Sequence, residues 1–361
     1  MTDEMQQRPA LAHKIGLSRM AVSELLAGLE TRGLVQVEGA IGGSPGRSQL
    51  SYAIKSDAAL TVGFDVGGTK VAGALSDLRG QILAELTEPT VQTGADDLVA
   101  QLGRMTGELF EAADMPRFRL RVGAVGLPAA VHPETADLSL AGNVAGLEGG
   151  NLRAALAEAL GVDVLIDNDV NLALLAEVSQ GSAQGKQNVA FVALGTGIGG
   201  ALMINGRLLR GAHGGAGELG YLPLWQIEAP GVAPLEQHVG EAGIRRAYVA
   251  AGGNPAHSVR DIFVEAETGQ CAAHEALDAT AEHVARALLA LMALLDPDMI
   301  VLGGSVGARA EFIGRVAKHV QGAWPRPVEL ARSQSGGRAG LLGALELARR
   351  HMLEEMFGAL P

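Results

Sequence analysis

The chain has 361 residues, 48% apolar, 19% charged and 3% aromatic, with a net charge of −12. This is long enough for two or three domains and too apolar for a disordered chain, and so few aromatic residues argue against a stacking platform for single-stranded nucleic acid. The single cysteine, Cys271, excludes a disulfide framework or a cysteine-rich zinc site within the chain, and fifty glycines without a three-residue period exclude collagen and mark tight turns or close backbone approach to ligands.

The opening MTDEMQQRPALAHK has no apolar signal region, and the greasiest run, Ala287 to Leu295, is about half the length that spans a bilayer. The expectation is a reducing, cytoplasmic location with no membrane association. Residues 1–60 hold six Lys/Arg and six Asp/Glu, so all of the negative charge lies in the remainder. The body repels DNA, and any DNA contact has to come from the neutral N-terminal piece.

Residues 11–33 are expected to form two helices. Leu11, Ala12, Ile15 and Leu17 suit the packed side of a short first helix, Gly16 marks a sharp turn, and Ser18 is a natural N-cap for the second. Val22, Leu25, Leu26 and Leu29 recur at helical spacing and Gly33 ends the run. Leu34–Val37 and Gln49–Ile54 alternate as strands, with a glycine-rich wing between them. This is the winged helix-turn-helix pattern, over residues 1–56. On that reading Ser18, Arg19, Met20 and Ser23 face the major groove, and Arg47 on the wing meets phosphate or the minor groove. The other reading is a helical pair that caps or dimerises the body. Only ten residues, Pro9 among them, precede Leu11, so the first helix of a three-helix core is either very short or lost to a truncated start.

From Ala59 the pattern is α/β. Strands Leu60–Asp65, Val71–Leu75 and Gln81–Leu86 form a meander whose first turn, Val66-Gly67-Gly68-Thr69-Lys70, is rich in glycine. Gly67 and Gly68 let backbone N–H groups approach a phosphate, Thr69 offers a hydroxyl, and Asp65 can hold a hydrated Mg²⁺. No helix follows, so this is not a Walker A loop. Val162–Ile166 is a strand running into Asp167-Asn168-Asp169 and a helical stretch Val170–Glu177, which places Asp169 at a helix start, where negative charge is favoured. A second hairpin, Val189–Leu194 and Ala201–Ile204, turns through Gly195-Thr196-Gly197-Ile198-Gly199-Gly200. The helical run Cys271–Leu295 fits packing within a lobe better than packing between subunits. Gly303-Gly304-Ser305 follows the strand Met299–Leu302. Each cluster alone is an ordinary tight turn; three in this order suggest two lobes facing one ATP.

DVGGTK (65–70), IDNDVN (166–171), LGTGIGG (194–200), GAGELGY (215–221) and VLGGSV (301–306) together resemble the ROK family of repressors, open reading frames and kinases, from about Leu11 to Leu347. The resemblance implies an actin-like, ribonuclease-H-like two-lobed α/β fold over residues 57–361. The smaller lobe takes about 57–165 plus the C-terminal helix, and the larger about 166–340. It implies ATP with Mg²⁺, held around Asp65, Gly67, Gly68, Thr69, Lys70, Gly195, Thr196, Gly197, Gly303 and Gly304. It implies a hexose or hexose derivative held by Asn143, Asn168, Asp169, Glu218 and Glu236, with Asp169 as general base. Gly126 and Pro128 border the same cleft. The chain departs from the family at Leu147, where an aromatic is usual. Tyr221 stands where many members have a zinc-binding histidine, and Ile227, Ala229 and Pro234 stand where they have cysteines. No structural zinc is expected, and Tyr221 is left to donate a hydrogen bond to a sugar hydroxyl.

The expectation is a sugar-responsive repressor, a homodimer or homotetramer on operator DNA, whose body binds sugar and ATP. The alternative is an ATP-dependent hexose kinase with a vestigial N-terminal piece.

Overall fold

The computed structural model describes residues 6–41, 49–140, 151–224 and 233–358. The chain opens with β1 (Gln6–Gln7), α1 (Arg8–Ile15), α2 (Arg19–Thr31), β2 (Val35–Ile41) and β3 (Gln49–Ile54). Pro9 lies in the first turn of α1, where a missing N–H costs no helical bond. Gly16 ends α1 at φ +69°, and the Ser18 hydroxyl accepts from Ala21 N at 3.2 Å to cap α2. Strand β3 pairs antiparallel with both β1 and β2. Ala12, Val22, Leu26 and Tyr52 form a small core. Ile15, Leu17 and Leu25, expected on packed sides, are instead exposed. Among the described residues no third helix covers that side, so the apolar stripe is wider than the surface available to bury it. Arg47, with the rest of 42–48, lies outside the described residues.

The body begins with the antiparallel meander β4 (Leu60–Val66), β5 (Lys70–Asp77) and β6 (Ile82–Pro89). Then come α3 (Ala95–Ala112), β7 (Leu120–Leu127), the short pair β8 (Ala130–Val131) and β9 (Leu138–Ser139), α4 (Leu152–Leu160) and β10 (Asp163–Asn168). The first large sheet has the order β10-β7-β4-β5-β6, with β7 parallel to both β4 and β10. Leu98, Leu102, Met105 and Leu109 of α3 fill one face, against Val62 and Phe64.

After α5 (Asp169–Gln180) the second sheet starts with β11 (Val189–Leu194), β12 (Ile198–Ile204) and β13 (Arg207–Leu208). Helices α6 (Glu236–Val239), α7 (Glu241–Ala250), α8 (Val259–Glu267) and α9 (Cys271–Leu295) follow. The chain closes with β14 (Met299–Gly303), α10 (Gly304–Gly307), α11 (Ala310–Ala323), β15 (Glu329–Arg332) and α12 (Ala339–Phe357). The order is β13-β12-β11-β14-β15. Helix α9 buries Leu277, Val284, Leu288 and Leu291 with Ile244, Phe312 and Val316, so it packs within this lobe. No described helix is long and apolar enough to cross a membrane.

Helices α5 and α12 form a shared layer between the sheets. Leu172 and Leu175 of α5 and Ala344 and Ala348 of α12 share one apolar cluster with Val122 and Ala124 of β7 and with Val189, Phe191 and Ala201 of the second sheet. The helices approach so closely that a Cβ on Gly343 would run into the Leu172 carbonyl. The far end of α12 reaches the N-terminal unit. Leu34 is buried with Met352, the Arg32 guanidinium donates to Met356 O at 2.9 Å, and it lies 5.3 Å from the Phe357 ring centroid. An Asp57–Arg119 ion pair holds the connecting segment to the body.

A Gly343→Ala substitution therefore forces a methyl group against backbone that cannot rotate away. It should destabilise the protein by about 1–3 kcal/mol, the range for overpacking a close interface, read from urea unfolding midpoints.

Candidate functional site

The parallel strands of both sheets end on the same cleft, where loops of open α/β sheets collect ligands. From the first sheet come Asp65 near the end of β4 and Asp169 directly after β10. From the second come the turn 195–197 after β11 and Gly303-Gly304 at the end of β14.

The turn after β4 is held from behind. Gly67 N donates to Lys70 O at 2.9 Å. The carbonyls of Gly67, Gly68 and Thr69 accept from Thr90 Oγ1 (2.6 Å), Gln92 Nε2 (2.7 Å) and Thr90 N (3.1 Å). With these carbonyls engaged on the scaffold, the exposed turn is held in one shape. The facing turn is fixed similarly: Gly195 N donates to Gly197 O at 3.0 Å, and Glu241 N donates to both Gly195 O and Thr196 O. Gly195 abuts the Ser305 hydroxyl, which brings the third glycine cluster to the same place.

Four carboxylates converge between these turns. Gly340 of α12 lies directly behind Asp65, where a Cβ would sit 2.6 Å from the carboxylate. Burial raises the Asp65 pKa, and the Lys70 ammonium only partly offsets it. Asp169 is pushed up to about 7, mainly by burial and then by the charges of Asp65 and Glu218; its bond from Val170 N opposes the rise. Glu218 is raised by burial and by Glu236. Glu236 in turn lies against Gly197, where a Cβ would meet its carboxylate at 2.9–3.0 Å. The structure thus brings Asp65, Asp169, Glu218 and Glu236 into one cleft with the glycine turns.

The loop bearing Glu218 crosses between the lobes. Gly217, at φ +94°, lies against Gly200 O of β12, a conformation and a contact that both exclude a side chain. Arg210, just ahead of this loop, donates from Nε (3.0 Å) and Nη2 (2.6 Å) to Asp167 Oδ2. The other oxygen of Asp167 accepts from Asn168 N and Asn171 Nδ2, both at 2.9 Å. Buried Asp167 therefore ties the segment leading to Glu218 to the turn that carries Asp169. The sequence reading missed this pair; the only signal was an acid directly after the apolar run Val164–Ile166.

Two expectations shift. Asn168 commits its amide oxygen and one N–H to the scaffold: the oxygen accepts from Val170 N (2.9 Å) and Asn171 N (3.2 Å), and the nitrogen donates to Ala129 O (3.1 Å). It is first of all the N-cap of α5. Tyr221 stands in a short 3₁₀ turn, exposed. Asn143, Leu147, Ile227 and Ala229 lie outside the described residues. Among the described residues no group of three or more His, Cys, Asp or Glu is placed to hold a metal ion unaided.

Two five-stranded sheets around a shared helical layer, with glycine turns facing across a carboxylate-lined cleft, define the two-lobed, actin-like α/β architecture of sugar kinases. The chain belongs to the ROK family, which matches residues 61–351. It is 28% identical over 296 residues to the beta-glucoside kinase of Listeria monocytogenes serovar 1/2a, covering 81% of this chain and 97% of that one. The ROK family glucokinase of Streptomyces griseus, solved with glucose and AMPPNP, is 26% identical with TM-score 0.67, covering 80% of this chain and 99% of that one. The fold also matches a ROK family transcriptional regulator, a homolog of the E. coli MLC protein, at TM-score 0.82 and 21% identity, over 97% of this chain and 94% of that one.

The raised pKa of Asp169 has a consequence for stability. A carboxyl whose folded pKa lies above its unfolded value stabilises the fold fully below the unfolded value, about 4, and that contribution is lost as pH rises through about 7. Asp169→Asn keeps the bond from Val170 N and removes the charge. It should leave stability unchanged at pH 4 and raise it at pH 8 by at most about 4 kcal/mol, read from urea unfolding across that range.

Proposed function

We propose that the protein is a sugar-responsive DNA-binding transcriptional regulator whose body binds a hexose and ATP and phosphorylates the sugar. One observation carries the regulator half. The kinases matched above span about four fifths of the chain, whereas the fold of the regulator extends over the N-terminal unit as well. In that unit, residues 1–56 in this reading, Ser18, Arg19 and Met20 are exposed at the start of α2, which suits a reading helix, while Ser23 is half-buried one turn on and its hydroxyl donates to Arg19 O at 2.9 Å. Arg47 would add a contact from the wing. Two half-sites call for a dimer, or a tetramer made of dimers.

In the body, residues 57–361, the chemistry follows from the cleft. The turns at Gly67, Gly68, Thr69 and Lys70 and at Gly195, Thr196 and Gly197 frame the phosphates, and Gly303-Gly304 receives the base. Asn143, Asn168, Glu218, Tyr221 and Glu236 surround the sugar, carboxylates being suited to accept from neighbouring hydroxyls. Asp169 accepts the proton of one sugar hydroxyl as its oxygen bonds to the γ-phosphorus and the bond to ADP breaks. A carboxyl near pKa 7 holds and releases a proton at physiological pH.

Four converging carboxylates repel a triphosphate, so the nucleotide needs a cation. Asp65 fits Mg²⁺, which takes one or two carboxylates together with phosphate oxygens and water, and Asp65 is a hard oxygen ligand that Lys70 only partly neutralises. Bound there, Mg²⁺ neutralises phosphate charge. The site residues present give zinc no thiolate to bind.

Helix α12 supplies a route between the two halves. Its first turn backs Asp65, and its last turn holds Arg32 at the end of α2. Nineteen helical residues span about 28 Å. A lobe movement that displaces α12 also displaces α2. An observation favouring the plain kinase reading is that both phosphate turns and Asp169 stand intact, which sensing alone does not require.

Purified protein with Mg·ATP should phosphorylate at least one hexose in a coupled assay, and Asp169→Asn should lower turnover about 10²–10⁴-fold. If no common hexose gives turnover, the kinase half fails and sensing remains. Binding to upstream operator DNA, followed by fluorescence anisotropy, should weaken steeply with salt. Arg19→Ala should cost about 1–3 kcal/mol. An unchanged affinity removes Arg19 from the reading helix.

A further inference from the structure

Glu177 is a wholly buried carboxylate outside the cleft. It makes no ion pair among the described residues, yet charge in the interior is costly unless it is fully compensated. Neutral donors supply the compensation, and they come from two separate segments. Oε2 accepts from Ser182 N and Ser182 Oγ, both at 2.9 Å, and from Gln334 N at 3.2 Å. Oε1 accepts from Ser333 Oγ at 2.7 Å and Ser335 N at 2.8 Å. Burial alone would raise its pKa, but the bonds from Ser335, Ser182 and Ser333 outweigh burial and hold the carboxyl below its ordinary value. Room for it is kept by Gly181, where a Cβ would collide with Oε2.

The two segments lead to the two acids of the first sheet, Asp169 and Asp65. Glu177 belongs to α5, whose first residue is Asp169, about 12 Å away along the helix. Residues 333–335 leave β15, are fastened to the second sheet by Ser333 N donating to Leu302 O at 2.9 Å, and enter the turn that begins α12. Five residues past Ser335, Gly340 stands against Asp65. A single carboxylate is thus bonded to the helix of one site acid and to the lead-in of the helix that backs the other.

We propose that Glu177 is a positioning residue for phosphoryl transfer, clamping α5 to the start of α12 so that Asp169 and Asp65 keep one spacing. This rests on the kinase reading of the cleft. Glu177 touches no ligand. It acts through the two helices, and its removal leaves Glu218 and Glu236, which lie on neither helix, in place while loosening the register of the acids.

The test uses Glu177→Gln, which keeps the shape but turns an NH₂ toward N–H and O–H donors, and Ser333→Ala, which removes one donor and leaves the carboxylate. Hydrogen–deuterium exchange is read on the full-length protein without ligand, alongside sugar KM and kcat with Mg·ATP. In Glu177→Gln, exchange should rise at least tenfold both in the first turns of α5 and in residues 336–343. KM for the sugar should stay within about twofold while kcat falls at least tenfold. Ser333→Ala should move both quantities in the same direction by a smaller factor, and it carries the test if Glu177→Gln does not fold. Increased exchange confined to residues 181–183 and 333–335, or a kcat within twofold of wild type, overturns the proposal and leaves Glu177 as a local clip. A wild-type protein that turns over no sugar defeats the kinase reading instead; exchange at the two helix starts then still decides whether the clamp exists.

Discussion

The close crossing of α5 and α12 is the constraint on which the cleft depends. A sheet buries one face against each side of this pair, and Gly343 lets the helices meet backbone to backbone at the crossing. Because both sheets pack on the same two helices, a shift in either helix is felt in both lobes. The site acids are mounted accordingly: Asp169 begins α5, and Asp65 is backed by the first turn of α12. A wider crossing, with a side chain in place of Gly343, would move two acids that come from different strands. Their proximity is therefore a property of the helical layer as much as of the strand ends.

The cleft stores electrostatic cost in that rigid frame. Asp65, Asp169 and Glu218 all have pKa values raised by burial, and the last two also by one another's or a neighbour's charge. Nothing in the fold requires these groups, and an apolar or amide replacement would be easier to bury. Asp167 and Glu177 stand in contrast. They are at least as buried, but each is fully engaged: Asp167 by Arg210 and Asn171, Glu177 by five neutral donors. The molecule thus holds two kinds of interior acid. Those aimed into the cleft are only partly compensated, Asp65 by Lys70 and Asp169 by Val170 N. Those behind the cleft are compensated by the chain itself and act as fasteners.

That distinction also sets how much could be read from the residues in order. Glycine turns between alternating strands announce themselves locally, because Gly67-Gly68 and Gly195-Thr196-Gly197 combine a hairpin with an absence of side chains. The β4–β6 meander, the β11–β12 hairpin and the start of α5 at Asp169 were legible for the same reason: each is settled within a few residues. Asn168 could have been read as an N-cap from its place before a helical run, and its likeness to a sugar ligand concealed that role. Glu177 and Arg210 could not be found this way. Three of the five donors to Glu177 lie 156–158 residues away and Arg210 lies 43 from Asp167, and a lone Glu at the end of an apolar helix gives no local sign of whether it faces water or five donors. The exposure of Ile15, Leu17 and Leu25 was hidden as well, since helical periodicity marks an apolar stripe but not whether anything covers it.

Helix α12 joins the last two pieces of the argument. Were the N-terminal unit attached only through the segment around Asp57, motion in the body would reach it through a short tether and be largely lost. It is attached a second time, at the end of α2, by the Arg32 guanidinium on Met356 O and over Phe357, with Leu34 buried beside Met352. Two attachments on one small unit define an orientation and not merely a distance. The second attachment sits on the same helix that stands behind Asp65, and a helix is stiff along its axis over this length. The fold therefore makes the pose of α2 and the geometry around Asp65 functions of one rigid element, so a displacement of α12 at one of these places is a displacement at the other.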